Sequence, residues 1–230
     1  GIIYPTLPQA LNAVDADGVI AVIPPQFRTE TLKTCIEAGI GLMAEKPLAE
    51  TMGDAKVQRD LANHSDIVYM ITQDYRYRRD LYSVKQILAS GELGKIDAVH
   101  VAHYWGFPLD GFRAEMPFPL LNDMSIHHFD LMRYFLESDA ISLYGQSWTP
   151  AWERVTGKTS AHALLTFPDD VHVAYTASWA TNGLHSTFEG DWRFECARGV
   201  LVLRDGAITV QKQDSTQGMG YTYLPAEARP

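Results

Sequence analysis

The chain has 230 residues, 46% hydrophobic and 20% charged, with 19 basic and 28 acidic residues for a net charge of −9. That balance excludes a nucleic-acid groove or an anionic membrane surface as the expected partner, since both are bound by clustered Lys and Arg. Two cysteines, Cys35 and Cys196, make neither a disulfide framework nor a zinc spacing, so a reducing cytoplasm is the expected compartment.

Residues 18–23 are apolar and mostly β-branched and end at Pro24-Pro25, which predicts a strand buried on both faces. The longest apolar run, 19–25, is far short of the roughly 20 residues a membrane span needs. Over 26–38 the period becomes helical, with Thr29, Leu32, Cys35 and Ile36 on one face. Gly39 and Gly41 end that helix and lead into a short strand at 42–44. A helix over 51–63 and a third strand over 66–72 follow. Strands and helices alternating at this spacing predict a parallel sheet with right-handed crossovers. Next come a helix over 80–89, a turn over 90–95, a strand over 96–105 and a long helix over 119–136. The period then drops to two. Segments 160–167 and 171–179 flank the turn Pro168-Asp169-Asp170 as a hairpin. Strands over 185–196, 199–204 and 207–211 continue the series, with Arg204-Asp205-Gly206 as a turn. The tail 213–230 has weak periodicity and is left unassigned.

Three side chains stand out chemically. Lys46, between Glu45 and Pro47, follows a short parallel strand at its carboxyl end, where open α/β sheets bind ligands. A cation there can hydrogen-bond an oxygen as negative charge develops on it. Asp123 and His127 are four residues apart in the long helix and so share a face. An imidazole titrates near neutrality and suits proton transfer. Asp130, three residues after His127, either orients it or bonds nearby backbone. His128 points about 100° away around the helix axis and need not share the site. His100 and His103 fall on opposite faces of their strand. Trp105, Phe107, Phe112 and Arg113 lie between that strand and the long helix, as pocket walls or as core.

The run Gly39-Ile40-Gly41-Leu42-Met43-Ala44-Glu45-Lys46-Pro47-Leu48-Ala49 resembles the "AGK-V-EKP-LA" signature of the Gfo/Idh/MocA family of NAD(P)-dependent oxidoreductases. Residues 122–136 resemble that family's "D-x-G-x-H-x-x-D-l-x-r-w-l" helix, with Ser125 where Gly is usual. Ile23-Pro24-Pro25-Gln26-Phe27-Arg28 sits where the family has "T-P-N-x-x-H": Pro24 matches, while Pro25 and Arg28 depart. Gln73-Asp74-Tyr75-Arg76-Tyr77 is similar to its "N-Y-R-F", with Arg76 as a structural ion-pair partner or a cleft residue. The resemblance implies a partial Rossmann domain over 1–74, then a substrate-binding and oligomerisation domain over 75–230 with an open, mostly antiparallel sheet. It implies NAD or NADP as cofactor, held by Ile23, Pro24, Glu45, Lys46 and Pro47. Lys46, Asp123 and His127 form its catalytic set and also bind a sugar or polyol, with Trp105 as a further substrate contact. No G-x-G-x-x-G phosphate loop opens a helix here, and the chain begins with Gly in mid-pattern. The expectation is a truncated start, with that loop upstream of Gly1. A homodimer or homotetramer through the open sheet is the implied assembly. Two other classes stay open at this point. One is a non-catalytic binding or regulatory protein on the same fold. The other is a metal-dependent hydrolase or isomerase using Asp123, His127 and Asp130.

Overall fold

The computed structural model describes residues 1–106, 108–213 and, as backbone, 221–225. They form two compact units, Gly1–Gln73 and Asp74–Pro230.

The first unit runs α1 (Leu7–Ala13), β1 (Gly18–Ala21), α2 (Arg28–Ala38), β2 (Gly41–Ala44), α3 (Met52–Asn63) and β3 (Tyr69–Ile71). The strands pair in parallel in the order β1-β2-β3. Gly39 caps α2 at φ 68°, in the left-handed region that favours glycine. Thr51 caps α3 by accepting from the Asp54 amide at 3.1 Å. Leu32 and Cys35 of α2 pack on Ala21, Leu42 and Ala44, and Leu7 of α1 and Leu61 of α3 join the same cluster. The expected two-sided burial of β1 does not hold: Ile20 is 74% exposed and Val22 75%. With consecutive strands adjacent, right-handed crossovers place α2 and α3 on one face of the sheet. The other face keeps Ile20, Val22, Val68 and Met70 exposed. Helix α1 was not legible, since it buries no residue fully and so shows no apolar stripe.

The second unit starts with a 3-10 turn, Asp74–Tyr77, then α4 (Arg79–Ala89), β4 (Ile96–Tyr104) and the short α5 (Phe112–Glu115). Leu120–Ser125 is wound as a π-helix that leads into α6 (Ile126–Leu136). Seven strands follow: β5 (Ser142–Trp148), β6 (Ser160–Phe167), β7 (Val171–Ser178), β8 (Asp191–Cys196), β9 (Gly199–Arg204), β10 (Ala207–Gln213) and β11 (Tyr221–Pro225). Together with β4 they make an eight-stranded sheet in the order β11-β10-β9-β8-β4-β7-β6-β5. Only β4 and β7 pair in parallel; the other neighbours are antiparallel. One face packs on α4 and α6, with Leu81, Val84, Leu131, Phe135, Trp192 and Phe194 in the core. Alternation is plain in β6, where Ala161, Ala163, Leu165 and Phe167 are buried while His162 and Leu164 are exposed.

Three expectations are corrected here. The long helix is not α-helical throughout, because Leu120–Ser125 takes the wider π winding. The strand expected over 185–196 starts only at Asp191. Strands β5 and β11 join the sheet although neither was predicted; β5 is an almost wholly exposed edge strand and carries no inside–outside alternation to read. The rest of the unassigned tail, 214–220 and 226–230, lies outside the described residues. Among the described residues no helix is long and apolar enough to cross a membrane.

Candidate active site

At the carboxyl edge of the parallel sheet, Ile23 and Pro24 follow β1, and Glu45, Lys46 and Pro47 follow β2. The Lys46–Pro47 peptide is cis. One buried side chain ties these two loops together. Arg28, fully buried at the start of α2, donates from Nη2 to the Ile23 carbonyl at 3.1 Å. Its Nη1 donates to the carbonyls of Pro47 and Leu48. Burial lowers the Arg28 pKa while Tyr69 and Glu45 oppose that; a guanidinium stays charged regardless. The residue that departs from the expected motif is therefore what holds the motif's two loops in register. Backbone bonds complete the edge: Glu45 N–H to Ala21 O at 3.1 Å and Thr72 N–H to Ala44 O at 2.8 Å.

Asp123 and His127 sit in the second unit, on the π-helix and on α6, and both are 5% exposed. Arg113 Nε donates to Asp123 Oδ2 at 2.6 Å, and the same guanidinium lies 4.7 Å from the Phe112 ring centroid. The His127 ring stacks on Tyr75, with centroids 4.1 Å apart and planes 9° apart. Its Nδ1 is 4.0 Å from Asp74 Oδ1. The Tyr75 hydroxyl is pushed up to about 12, first by burial and then by Asp74, with smaller contributions from Glu189 and Asp123. It stays protonated at neutral pH. Asp130 is claimed by Arg76, whose Nε donates to Oδ2 at 3.0 Å and whose Nη2 donates to Oδ1. It neither orients His127 nor completes a metal-binding set. No cluster of three or more His, Cys, Asp or Glu that could hold a metal occurs among the described residues.

His128, as its helix angle requires, leaves the site. It is fully buried, its Nε2 3.0 Å from the Phe188 carbonyl and its Nδ1 2.9 Å from the Tyr175 hydroxyl. A carbonyl only accepts, so Nε2 carries the proton, and Nδ1 of the neutral ring faces the Tyr175 oxygen as an acceptor. Ser125 Oγ, 2.7 Å from that hydroxyl, extends the chain. The serine that replaces the expected glycine is thus part of a buried polar relay. His103 faces inward and His100 outward, as strand periodicity requires.

Trp105 follows β4 and borders a cavity of about 450 Å³ lined also by Arg78, His185, Phe188, Glu189 and Asp205. Its ring lies 4.6 Å from His185 and 4.5 Å from Phe188. The Gly106 amide donates to His185 Nε2 at 3.1 Å. A Cβ on Gly106 would stand 2.5 Å from the Thr181 carbonyl, so only glycine fits there. Arg78 Nη2 donates to Glu189 Oε1 at 3.1 Å, and its guanidinium lies 5.6 Å from the Tyr75 ring. Arg78 thus both lines the cavity and approaches the Tyr75 ring on which His127 stacks. Sequence reasoning missed Arg78, His185, Phe188 and Glu189, which carry no motif. Phe112 and Arg113 belong with Asp123; Phe107 lies outside the described residues.

Residues 3–73 match the oxidoreductase family with the NAD-binding Rossmann fold, and residues 82–202 match the GFO/IDH/MocA C-terminal domain. The chain belongs to the GFO/IDH/MocA family. Among its relatives is the uncharacterized protein y4oX of Sinorhizobium fredii, 28% identical over 228 residues, covering 92% of this chain and 62% of that protein. Inositol 2-dehydrogenase 1 of Saccharopolyspora erythraea is 31% identical over 130 residues, 54% of this chain and 36% of that one. An oxidoreductase from Agrobacterium radiobacter, solved with NAD+, L-tartaric acid and magnesium, superposes with a TM-score of 0.87. It is 20% identical, over 97% of this chain and 65% of that one, a likeness of fold. The chain thus spans less than two thirds of the length of each. Its first unit is of the family's NAD-binding class, and the expected architecture of a parallel Rossmann sheet followed by a mostly antiparallel one holds.

Proposed function

We propose that this chain carries the proton-handling and substrate residues of a nicotinamide-dependent dehydrogenase acting on the CH–OH group of a sugar, polyol or related hydroxy or carbonyl compound. The observation that carries the reading is His127: one imidazole, almost fully buried, held flat against Tyr75 beside the carboxylate of Asp74. Such a ring is oriented for proton transfer at a fixed point. In this reading the imidazole accepts the hydroxyl proton. Asp123, its carboxylate fixed by Arg113, positions the hydroxyl, and Lys46 hydrogen-bonds the oxygen as charge develops on it.

The dinucleotide class fits the first unit. Ile23, Pro24, Glu45, Lys46 and Pro47 stand at the carboxyl edge of a parallel sheet, where such ligands lie, and Arg28 fixes their backbone. When bound, NAD or NADP supplies the hydride acceptor. Residues 1–74 then serve the cofactor and 75–230 the substrate and assembly, the latter as a homodimer or homotetramer. The relative named inositol 2-dehydrogenase supports a polyol as substrate class.

The test is nicotinamide reduction with a panel of cyclic and acyclic polyols. His127→Ala is expected to lower kcat by about 10²-fold, the loss usual for an acid–base group. Turnover that survives the substitution unchanged would remove His127 from that role and the reading with it.

A further inference from the structure

We propose that Ser125, Tyr175 and His128 are positioning residues for Asp123 and His127: their buried hydrogen-bond chain holds the junction between the π-helix and α6 in the register that puts those two side chains on one side of the helix. Its link to turnover rests on the dehydrogenase reading above; the placement of His127 does not.

Asp123 and Ser125 belong to the π-helix Leu120–Ser125, and His127 and His128 to α6. In an α-helix, residues four apart are offset by about 40° around the axis. A π turn, with its i→i+5 bonds, advances less per residue and reduces that offset. How closely Asp123 and His127 align thus depends on where the wide winding gives way to the narrow one. Such winding is rare and occurs mostly as single turns, often at functional sites.

Tyr175, on β7, reaches both sides of that change. Its hydroxyl donates to Oγ of Ser125, the last π-wound residue, at 2.7 Å. The same oxygen lies 2.9 Å from Nδ1 of His128, in the first turn of α6. The other nitrogen of that imidazole donates to the Phe188 carbonyl at 3.0 Å. The backbone between Asp123 and His127 is thereby pinned from β7, and α6 is pinned again from the segment before β8. Arg113 fixes the Asp123 carboxylate and Tyr75 the His127 ring, each acting on one side chain. The chain through Tyr175 acts on the junction itself. A glycine at 125, as in the signature this run resembles, would offer no hydroxyl to it.

Ser125 and His128 are fully buried, and Tyr175 almost so. Phe129 packs on Tyr175 with ring centroids 5.2 Å apart, and Trp192 meets His128 edge-on at 6.4 Å. Deleting the Tyr175 hydroxyl would therefore withdraw a partner that water does not replace, since the space of one oxygen is too small to hold a water. Both titratable members stay neutral at physiological pH: burial raises Tyr175 and lowers His128 to about 3. The chain ends on a carbonyl, which takes no proton. It holds geometry and does not conduct protons.

The experiment compares the full-length protein with Tyr175→Phe, Ser125→Ala and the double variant. Ser160→Ala is the control: it removes a different buried hydroxyl pair of the same sheet, that with Ser178 at 2.9 Å. The first readout is the NMR shift of the His127 ring protons, assigned through His127→Gln and moved upfield by the Tyr75 ring stacked 4.1 Å away. Both test variants are expected to lose part of that upfield shift, and the control to keep it. The second readout is kinetic. Tyr175→Phe and Ser125→Ala should lower kcat about tenfold, within the 10²-fold that a misplacement of about 1 Å costs, with the KM for the dinucleotide unchanged. Ser125→Thr, which keeps a hydroxyl, should recover part of the loss. The double variant should be no worse than Tyr175→Phe, because both substitutions break one chain. If Tyr175→Phe does not fold, Ser125→Ala and His128→Gln carry the same two readouts. A His127 shift unmoved in the test variants would overturn the proposal whatever the turnover. Turnover lost in His127→Ala but kept at the parental kcat in Tyr175→Phe and Ser125→Ala would also overturn it and leave the dehydrogenase reading standing. A moved shift in a protein that reduces no nicotinamide with any polyol would leave the positioning role standing and remove the dehydrogenase reading.

Discussion

Removing the Arg28 guanidinium would take a charged donor from three carbonyls, those of Ile23, Pro47 and Leu48. Hydrogen bonds from charged donors contribute about 1.5–3 kcal/mol each, and losses within one cluster do not add fully. Arg28→Met is therefore expected to destabilise the first unit by about 3 kcal/mol, read as a lower urea midpoint. Arg28→Lys should recover only part of it, because one ammonium cannot span carbonyls on two loops. An unchanged midpoint in Arg28→Met would mean that the loops after β1 and β2 are held by other means. This residue also marks the limit of what the sequence discloses about the site. Lys46 alone reads as a turn residue and His127 alone as a packing residue; with Asp123 they stand out because each lies in a short contiguous run that resembles a family signature. Arg28, Arg78 and Glu189 gain meaning only from partners far along the sequence: Leu48 is 20 residues from Arg28, and Glu189 is 111 from Arg78. No local pattern encodes such a pair.

The segment 185–190 illustrates the same limit for elements. Its residues alternate well enough to suggest a strand, yet the carbonyls of Thr187, Phe188 and Glu189 go to His103, His128 and Trp192 instead of to a neighbouring strand. Gly190, at φ 77°, then turns the backbone into β8. Strands β6 to β10 were legible because one face of each is buried and the other open, which writes a period of two; α1 and β5 bury too little to write any period. The reliance of segment 185–190 on neutral imidazoles has a pH consequence. Burial holds His128 down at about 3 and His103 at about 4, both below the ordinary 6.5. As pH falls below about 6.5 the unfolded state takes up protons at both rings while the folded state does not. The unfolded state then binds more protons, so stability present above about 6.5 is lost on acidification towards 4 and 3. Each proton in excess contributes a slope approaching 1.4 kcal/mol per pH unit, by an order-of-magnitude argument. Unfolding free energies of His128→Gln between about pH 6 and 5 should show a pH slope shallower by about 1 kcal/mol per unit than the parent protein. An equal slope in the two proteins would show that His128 is already protonated in the fold.

At the scale of the molecule, helices α4 and α6 cover only one face of the eight-stranded sheet. On the other face, cross-strand neighbours align Tyr144 with Leu164, Leu164 with Ala174, Ala174 with His100, His100 with Arg193 and Arg193 with Val202. Tyr144 is 68% exposed and Leu164 61%. The row mixes apolar side chains with single charges, the composition of an interface centre rather than of a solvated sheet face. Open apolar sheet surface of this kind is an association site or an aggregation liability. A second copy of the protein meeting it about a two-fold axis would bury Leu164 against its counterpart or against Ala174. Leu164→Glu puts a carboxylate at that point at little cost to the free protomer, because the position is already exposed. Light scattering should therefore give a dimer or tetramer mass for the parent protein and a monomer mass for Leu164→Glu. The two share the same fold by circular dichroism if the substitution acts on assembly alone. A parent protein that stays monomeric at high concentration would mean the face serves something other than self-association, and one whose assembly survives Leu164→Glu would place the interface elsewhere.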